Sequence, residues 1–379
     1  MKIFHLSDLH IGKRIKGVSM LDDQRDVLRQ VVDLVKDHHP KAVILAGDIY
    51  DKSVPSAEAV ELFDDFLSQL SATGTIPLVI YGNHDSAERL AFANRLLEQA
   101  GCYVSPVYDG SIRTVTLQED GERVVVHLLP FVKPVDVRNA MSNEEQHSVA
   151  IGSYTDALRW AVGRQNLDPE CFNILVAHQF VSGAKQCDSE DSIVGGLENV
   201  DSSVFDAFNY VALGHLHCPQ FVDRQTVRYS GSPLKYSFSE VNDEKSVTML
   251  DIEDGEVNIS LLDLKPLHEW FDLRGKFADL QTNQLPQQDG FVRITLTDDE
   301  DVYDAFARLR QQYPNLLEMS YDNARTRAAN ATIETSDTVL QQSPLEIFDE
   351  LYALQNDKQH MDDQQKEYIQ SIINQIWNN

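Results

Sequence analysis

Apolar runs of five or six residues recur through the first part of the chain, each followed by a stretch whose apolar residues fall three or four apart. KIFHL (2–6) precedes residues 21–38, where Val27, Leu28, Val31, Val32 and Val35 lie at helical spacing. AVILA (42–46) precedes a helix predicted over 56–70, with Pro55 and Ser56 at its start. IPLVIY (76–81) precedes a helix predicted over 87–100 and ended by Gly101. Strands buried on both faces and alternating with helices predict a parallel, layered α/β sheet. In such sheets functional groups gather beyond the carboxyl ends of the strands.

The alternation continues with a strand at 123–129, a helix at 153–164, and buried strands at 173–177 and 210–214. From 221 to 264 short strands and turns take over, predicting antiparallel structure that completes a second sheet. A first domain over 1–264 is therefore expected. Residues 265–335 read as a small α+β unit, with strands EWFDLR, FVRITL and LLEMSY and a helix in DVYDAFARLRQQY. A polar linker over 324–342 follows. Ser343-Pro344-Leu345-Glu346 then forms a capping box, opening a helix at 345–354 with another at 365–377. The tail, 336–379, comprises linker and helices. No internal repeat or low-complexity tract interrupts the chain.

At 379 residues the chain is long enough for two or three domains. No apolar run is as long as a membrane span and the N-terminus lacks the pattern of a secretory signal, so a cytoplasmic protein with no membrane role is expected. Cys102, Cys171, Cys187 and Cys218 have no CxxC spacing, which predicts neither a disulfide framework nor a cysteine zinc site, and Cys218 is expected as a packed thiol. The net charge of −28 argues against broad nucleic-acid binding by the chain's own surface. It leaves room for a nuclease whose positive charge comes from metals, a local patch or a partner.

Five polar motifs stand where apolar strands end: Asp8-Leu9-His10, Gly47-Asp48, Gly82-Asn83-His84-Asp85, His178, and Gly214-His215-Leu216-His217. An Asp-x-His or His-x-His pair can aim both side chains at one point if the backbone leaves the alternation of a strand. The glycines permit close approach of the chain. Singly each motif is weak; five in order, each at a strand end, predict a metal centre. His5, His38, His39, His127, His147, His268 and His360 fall outside the pattern and are expected to be ordinary core or surface residues.

The ordered set resembles the calcineurin-like metallophosphoesterases over about 1–264. The resemblance implies a layered fold of two sheets flanked by helices, with a small α+β capping domain and C-terminal helices after it. It implies two metal ions, with Asp8, His10, Asp48 and His217 on one and Asp48, Asn83, His178 and His215 on the other, bridged by Asp48. Mixed imidazole, carboxylate and amide ligands suit Mn²⁺ or Fe²⁺, and an all-oxygen site would suit Mg²⁺; the family favours two Mn²⁺ ions. A neutral Asn83 supplies an oxygen without cancelling the positive charge that attracts a phosphate. His84 is expected to face the substrate as a proton donor and Asp85 to orient its imidazole.

Two further features narrow the class. GDIYDKS keeps Asp51 but lacks the Arg-Gly that follows in the protein phosphatases of this superfamily, and the role of Asp51 stays open. SDLHIGK, GDIYDKSVPS, GNHDS, FNYVALGHLHCPQ, VRYSGSPLKYSFSE and SPLEIFDELY resemble the SbcD family of bacterial nuclease subunits. That implies 3′–5′ exonuclease activity on duplex ends, endonuclease activity on hairpins and single strands, and a homodimer bound to an SbcC-type coiled-coil ATPase in a heterotetramer. Leu345, Phe348, Leu351 and Tyr352, with Tyr368, Ile369, Ile372, Ile373, Ile376 and Trp377, form apolar stripes suited to such a partner or to the chain's own core. Lys13, Arg14, Lys16, Arg89, Ser232 and Lys235 are candidate DNA contacts. The alternatives are a small-substrate or cyclic-nucleotide phosphodiesterase on the same scaffold, and a scaffold for the ATPase.

Overall fold

Strands Lys2–Leu6 (β1), Ala42–Ala46 (β2) and Ile76–Ile80 (β3) lie side by side and parallel at the centre of a six-stranded sheet. Phe172–His178 (β4) and Tyr210–Gly214 (β5) are parallel neighbours at the centre of a second six-stranded sheet. In this computed structural model the described residues are 1–190, 199–324, 326, 343–356 and 359–377, without the side chains at 147, 148, 354, 355 and 374–377. The linker predicted over 324–342 lies, apart from residues 324 and 326, outside them, as do the side chains of His147, Ile376 and Trp377.

The strands are apolar on both faces because both faces are covered. Along β1, Phe4 and Leu6 pack on the helices, whereas Ile3 faces the second sheet. Val27, Val31 and Val35 of helix Leu21–His38 and Phe63, Phe66 and Leu70 of helix Ala57–Ala72 complete that outer layer. Between the sheets, Ala42, Ile44, Ala46, Leu78 and Ile80 meet Val124, Val126, Ile174, Val176 and Ala212. Helix Tyr154–Gly163 covers the far side with Leu158 and Ala161. The fold is thus helix–sheet–sheet–helix, the two-sheet layering that the resemblance implies. His5 and His127 are buried ordinary residues: His5 Nδ1 lies 3.0 Å from the Tyr210 hydroxyl and His127 Nε2 3.3 Å from Asn173 Oδ1.

Register puts the strand ends level. Leu6 is opposite Leu45, Ala46 opposite Ile80 and Gly214 opposite His178, so the five motifs emerge along one edge of the two sheets. Antiparallel strands Ser246–Glu253 and Glu256–Asp263 extend the first sheet. Arg224–Tyr229 joins the second sheet parallel to Tyr210–Gly214, so the run after 221 serves both sheets and is antiparallel only in part.

The helix predicted over 87–100 is broken. Ala87–Leu90 and Asn94–Gln99 are separate because Ala93 adopts φ 60°, which interrupts the hydrogen-bond ladder and leaves Phe92 and Leu96 exposed. Beyond the sheets, Trp270–Gly275, Phe291–Leu296 and Leu316–Tyr321 form a parallel three-stranded sheet. It has its own core around Val292, Ile294, Leu309 and Tyr313. Helix Pro344–Gln355 begins with the expected capping box, Ser343 Oγ accepting from Glu346 N–H, and Asp363–Trp377 packs beside it. Among the described residues no helix is long and apolar enough to cross a membrane.

Candidate metal centre

The motif loops leave strand geometry at the candidate ligand positions. Asp8, His10, Asp48 and His215 all have positive φ, at 54°, 44°, 48° and 102°. The strain is held by interlocking bonds. Asp8 N–H donates to Gly47 O, His10 N–H to Asp48 O and Ile11 N–H to Ile49 O, so the first two loops run as a pair. Asp8 in turn accepts from His215 N–H at 3.0 Å, and Asp48 Oδ1 from His84 N–H at 2.9 Å. Gly82 is required by this closeness: a Cβ there would collide with Asp48 Oδ1.

These turns converge the side chains. The ligand atoms of Asp8, His10 and His217 lie within 4.8 Å of one another, and so do those of Asp8, Asp48 and His178. Asn83 Oδ1 sits 3.0 Å from both His178 Nε2 and His215 Nδ1. Asp48 Oδ2 lies between the groups, 3.3 Å from His178 Nε2 and 3.6 Å from His10 Nε2.

Several charges share a space with almost no water, since Asp8, His10, Asp48, His178 and His217 are all buried. Burial raises the Asp8 pKa and drives His10 well below the ordinary imidazole range. It takes His215 down to about 3, helped by His178. Burial also works against charge on Asp48, but the imidazoles of His178, His10 and His84 outweigh it and hold that carboxyl low. Burial likewise opposes a charged His178, yet Asp48 and Asp8 bring its pKa up to about 9. His10 Nε2 and His217 Nε2 face each other at 3.0 Å. Two nitrogens so placed beside Asp8 and Asp48, and two imidazoles sharing the neutral Asn83 oxygen, are donor sets that suit divalent cations. The residues present fit the expected metal centre.

His84 stands at the rim with its imidazole partly exposed. Its Nδ1 lies 3.1 Å from the Asp51 main-chain oxygen, which can only accept, so Nδ1 carries a proton and Nε2 faces the site, 4.0 Å from Asp48 Oδ2. Asp85 does something other than orient that ring. Its two oxygens accept from the backbone N–H groups of Ile49, Tyr50 and Gly82, tying the second motif loop to the third. Asp51 contacts His84 through its carbonyl, and through its carboxylate Lys13 Nζ at 3.0 Å and His10 Nδ1 at 3.8 Å.

The candidate DNA contacts divide. Arg14 is exposed on the small hairpin Arg14–Ile15 and Val18–Ser19, and Arg89 is exposed on the helix after the third motif. Lys13 is held by Asp51, and Lys16 pairs with Glu318 of the small domain at 3.1 Å. Ser232 and Lys235 are buried; Ser232 donates to Leu234 O, and Lys235 binds Glu269 at 2.7 Å and Val241 O. Buried and held by these partners, neither offers a free polar group at the surface.

The sequence motifs missed what lies beneath the candidate ligands. Gln24 Nε2 donates to His10 O and the Tyr236 hydroxyl to Leu9 O, bracing the first loop. Ser189 and Glu190 contact His217, and Glu240 pairs with Lys245 below it. The SGSPLKYSFSE stretch contains Tyr236 and Glu240, so its signal is one of support for the site. Cys218 is bonded to Cys187 in a disulfide, correcting the expected free thiol; the 31-residue separation hid the pairing.

The family model of the calcineurin-like phosphoesterases matches residues 1–219. A second, described as the type 5 capsule protein repressor C-terminal domain, matches residues 264–356. The SbcD subunit of the nuclease SbcCD from Staphylococcus epidermidis is 33% identical over 327 residues, 84% of this chain and 85% of that protein. The chain belongs to the calcineurin-like phosphoesterase family, in its SbcD branch, and is a metal-dependent phosphodiester hydrolase. Among solved structures, a dimetal phosphatase from Danio rerio overlaps 70% of this chain and 99% of its own at 13% identity, with a TM-score of 0.42. TT1561 of Thermus thermophilus overlaps 69% and 98% at 12% identity, with a TM-score of 0.40.

Proposed function

We propose that this chain is the nuclease component of a DNA end-processing complex acting in repair, recombination and replication. It is an Mn²⁺-dependent enzyme, a 3′–5′ exonuclease on duplex ends and an endonuclease on hairpins and single strands. It works as a homodimer within a heterotetramer with an SbcC-type coiled-coil ATPase. The observation that carries the reading is the place of Asp48 Oδ2 between the imidazoles of His10 and His178.

Asp8, His10 and His217 would hold one ion, Asn83, His178 and His215 the other, and Asp48 both. When bound, such a pair supplies a nucleophile from water at neutral pH and neutralises charge developing on phosphorus. The rest falls to the chain. Asn83 contributes an oxygen without charge, leaving the site attractive to a phosphodiester. His84, with Nδ1–H anchored on the Asp51 carbonyl, presents Nε2 to the leaving oxygen, and in its doubly protonated form transfers a proton there. Asp85 keeps the Asp48 and His84 loops in register.

Acidity agrees with this division of labour. A chain of net charge −28 recruits DNA through the metal centre, the exposed Arg14 and Arg89, and its partner. Residues 265–335 act as the cap over the substrate. The exposed Phe348 and Leu351 on one tail helix and Tyr368 on the other offer an apolar face to the ATPase. The test is cleavage of blunt and hairpin-ended duplex DNA in Mn²⁺ or Mg²⁺, with and without the ATPase. Degradation in Mn²⁺ that gains ATP dependence only with the partner supports the reading. Turnover of small phosphodiesters with intact DNA would move the activity to a small-substrate phosphodiesterase.

A further inference from the structure

His217 is held by more bonds than a ligand alone requires. Its backbone N–H donates to Glu190 Oε1 at 2.6 Å, and its carbonyl accepts from Lys245 Nζ at 2.9 Å and from Ser232 N–H at 3.1 Å. On the ring, Nδ1 lies 2.6 Å from Ser189 Oγ, which is also 2.6 Å from Glu240 Oε1. Glu240 is fully buried and surrounded by donors: Lys245 Nζ at 2.6 Å, the Ser237 hydroxyl at 2.9 Å and Tyr236 N–H at 3.3 Å.

Proton counting fixes the direction of the chain of bonds. A carboxylate paired with a buried ammonium only accepts. Ser189 has one hydroxyl proton, and the contact with Glu240 uses it. What Ser189 turns to His217 is a lone pair, so Nδ1 of His217 must carry hydrogen. Its Nε2 is then the unprotonated nitrogen, and it is Nε2 that faces His10 across 3.0 Å. Among the described residues, the imidazoles assigned to the second ion have no such relay: His178 Nδ1 meets the Ala46 carbonyl directly at 2.8 Å, and His215 presents Nδ1 to Asn83.

We propose that Ser189 and Glu240 are positioning residues that fix His217 as an Nε2 donor, and that they set the affinity of the divalent ion held by Asp8, His10 and His217 while leaving the second ion untouched. This rests on the two-metal reading above. The physical basis is general: a carboxylate behind a ligating imidazole fixes its tautomer and raises its basicity. Here the carboxylate acts at one remove, through a hydroxyl on the segment that the Cys187–Cys218 disulfide ties beside His217.

The test is Mn²⁺ titration of the full-length chain, following the paramagnetic signal of free Mn²⁺. The parent should bind two ions. Ser189→Ala should weaken one of them by about 10- to 100-fold and leave the other at its parental affinity. Ser189→Thr, which restores a hydroxyl, should recover the lost affinity, and the urea midpoints of all three proteins should agree. Parental affinity at both positions in Ser189→Ala would overturn the inference while sparing the two-metal reading. Equal weakening of both, or no recovery with threonine, would reduce Ser189 to general support of the loop and overturn it too. A parent that binds no Mn²⁺ would overturn the two-metal reading and the inference with it.

Discussion

The His84 imidazole is anchored on the main-chain oxygen of Asp51, 3.1 Å from Nδ1, and not on the carboxylate of its sequence neighbour Asp85. A backbone acceptor fixes which nitrogen faces the site. It also makes the orientation of His84 depend on the path of the second motif loop.

His84→Gln should therefore separate chemistry from binding. Phosphodiester hydrolysis should fall about 10²–10⁴-fold, the range of a lost general acid, with Mn²⁺ stoichiometry unchanged. Single-turnover cleavage beside metal titration measures both. Full activity with metal bound would remove the proton-transfer role.

Asp85→Ala should behave differently. It strips acceptors from the N–H groups of Ile49, Tyr50 and Gly82. A donor left buried and unpaired costs about 1–3 kcal/mol, so the urea midpoint should drop and Mn²⁺ binding should weaken along with kcat. A role confined to the His84 ring would lower kcat alone.

Gly82→Ala should damage the site from the backbone side, because the added methyl collides with Asp48 Oδ1. Loss of Mn²⁺ binding in a chain that still folds, followed by circular dichroism, is the expected result. Retained affinity would mean that the two loops can separate without cost to the centre.

Basic residues should sort by exposure. Arg14→Ala and Arg89→Ala should each weaken DNA binding uniformly across sequences and reduce the salt slope by about one, when measured with the partner present. Lys235→Met should leave DNA affinity unchanged and cost on the order of 1 kcal/mol in stability through the lost pair with half-exposed Glu269. Filter binding over a salt series, with a urea melt, distinguishes them.

Much of the fold is legible in the sequence because its strands are short apolar runs and its first two helices carry regular apolar stripes. The candidate ligand set is legible because each of its residues closes a strand, where an α/β sheet exposes its edge. What the sequence concealed depends on tertiary closeness. Asp85 looks like a partner of its neighbour until the Gly47-Asp48 loop is seen to lie against it. Lys235 looks like a surface lysine until Glu269 arrives from the next domain. Ser189 and Glu240 lie 28 and 23 residues from His217, with no periodicity to connect them. The helix break at Ala93 carries no glycine or proline to announce it.

In the proposed site Asp48 stands between two ions, and anomalous scattering from crystals grown with Mn²⁺ would reveal both. Two peaks about 3.5–4 Å apart, one on each side of the Asp48 carboxylate, are predicted, with both absent in Asp48→Asn. A single peak beside Asp48 in the unaltered chain, or two peaks that persist in the variant, would rule out Asp48 as the bridge.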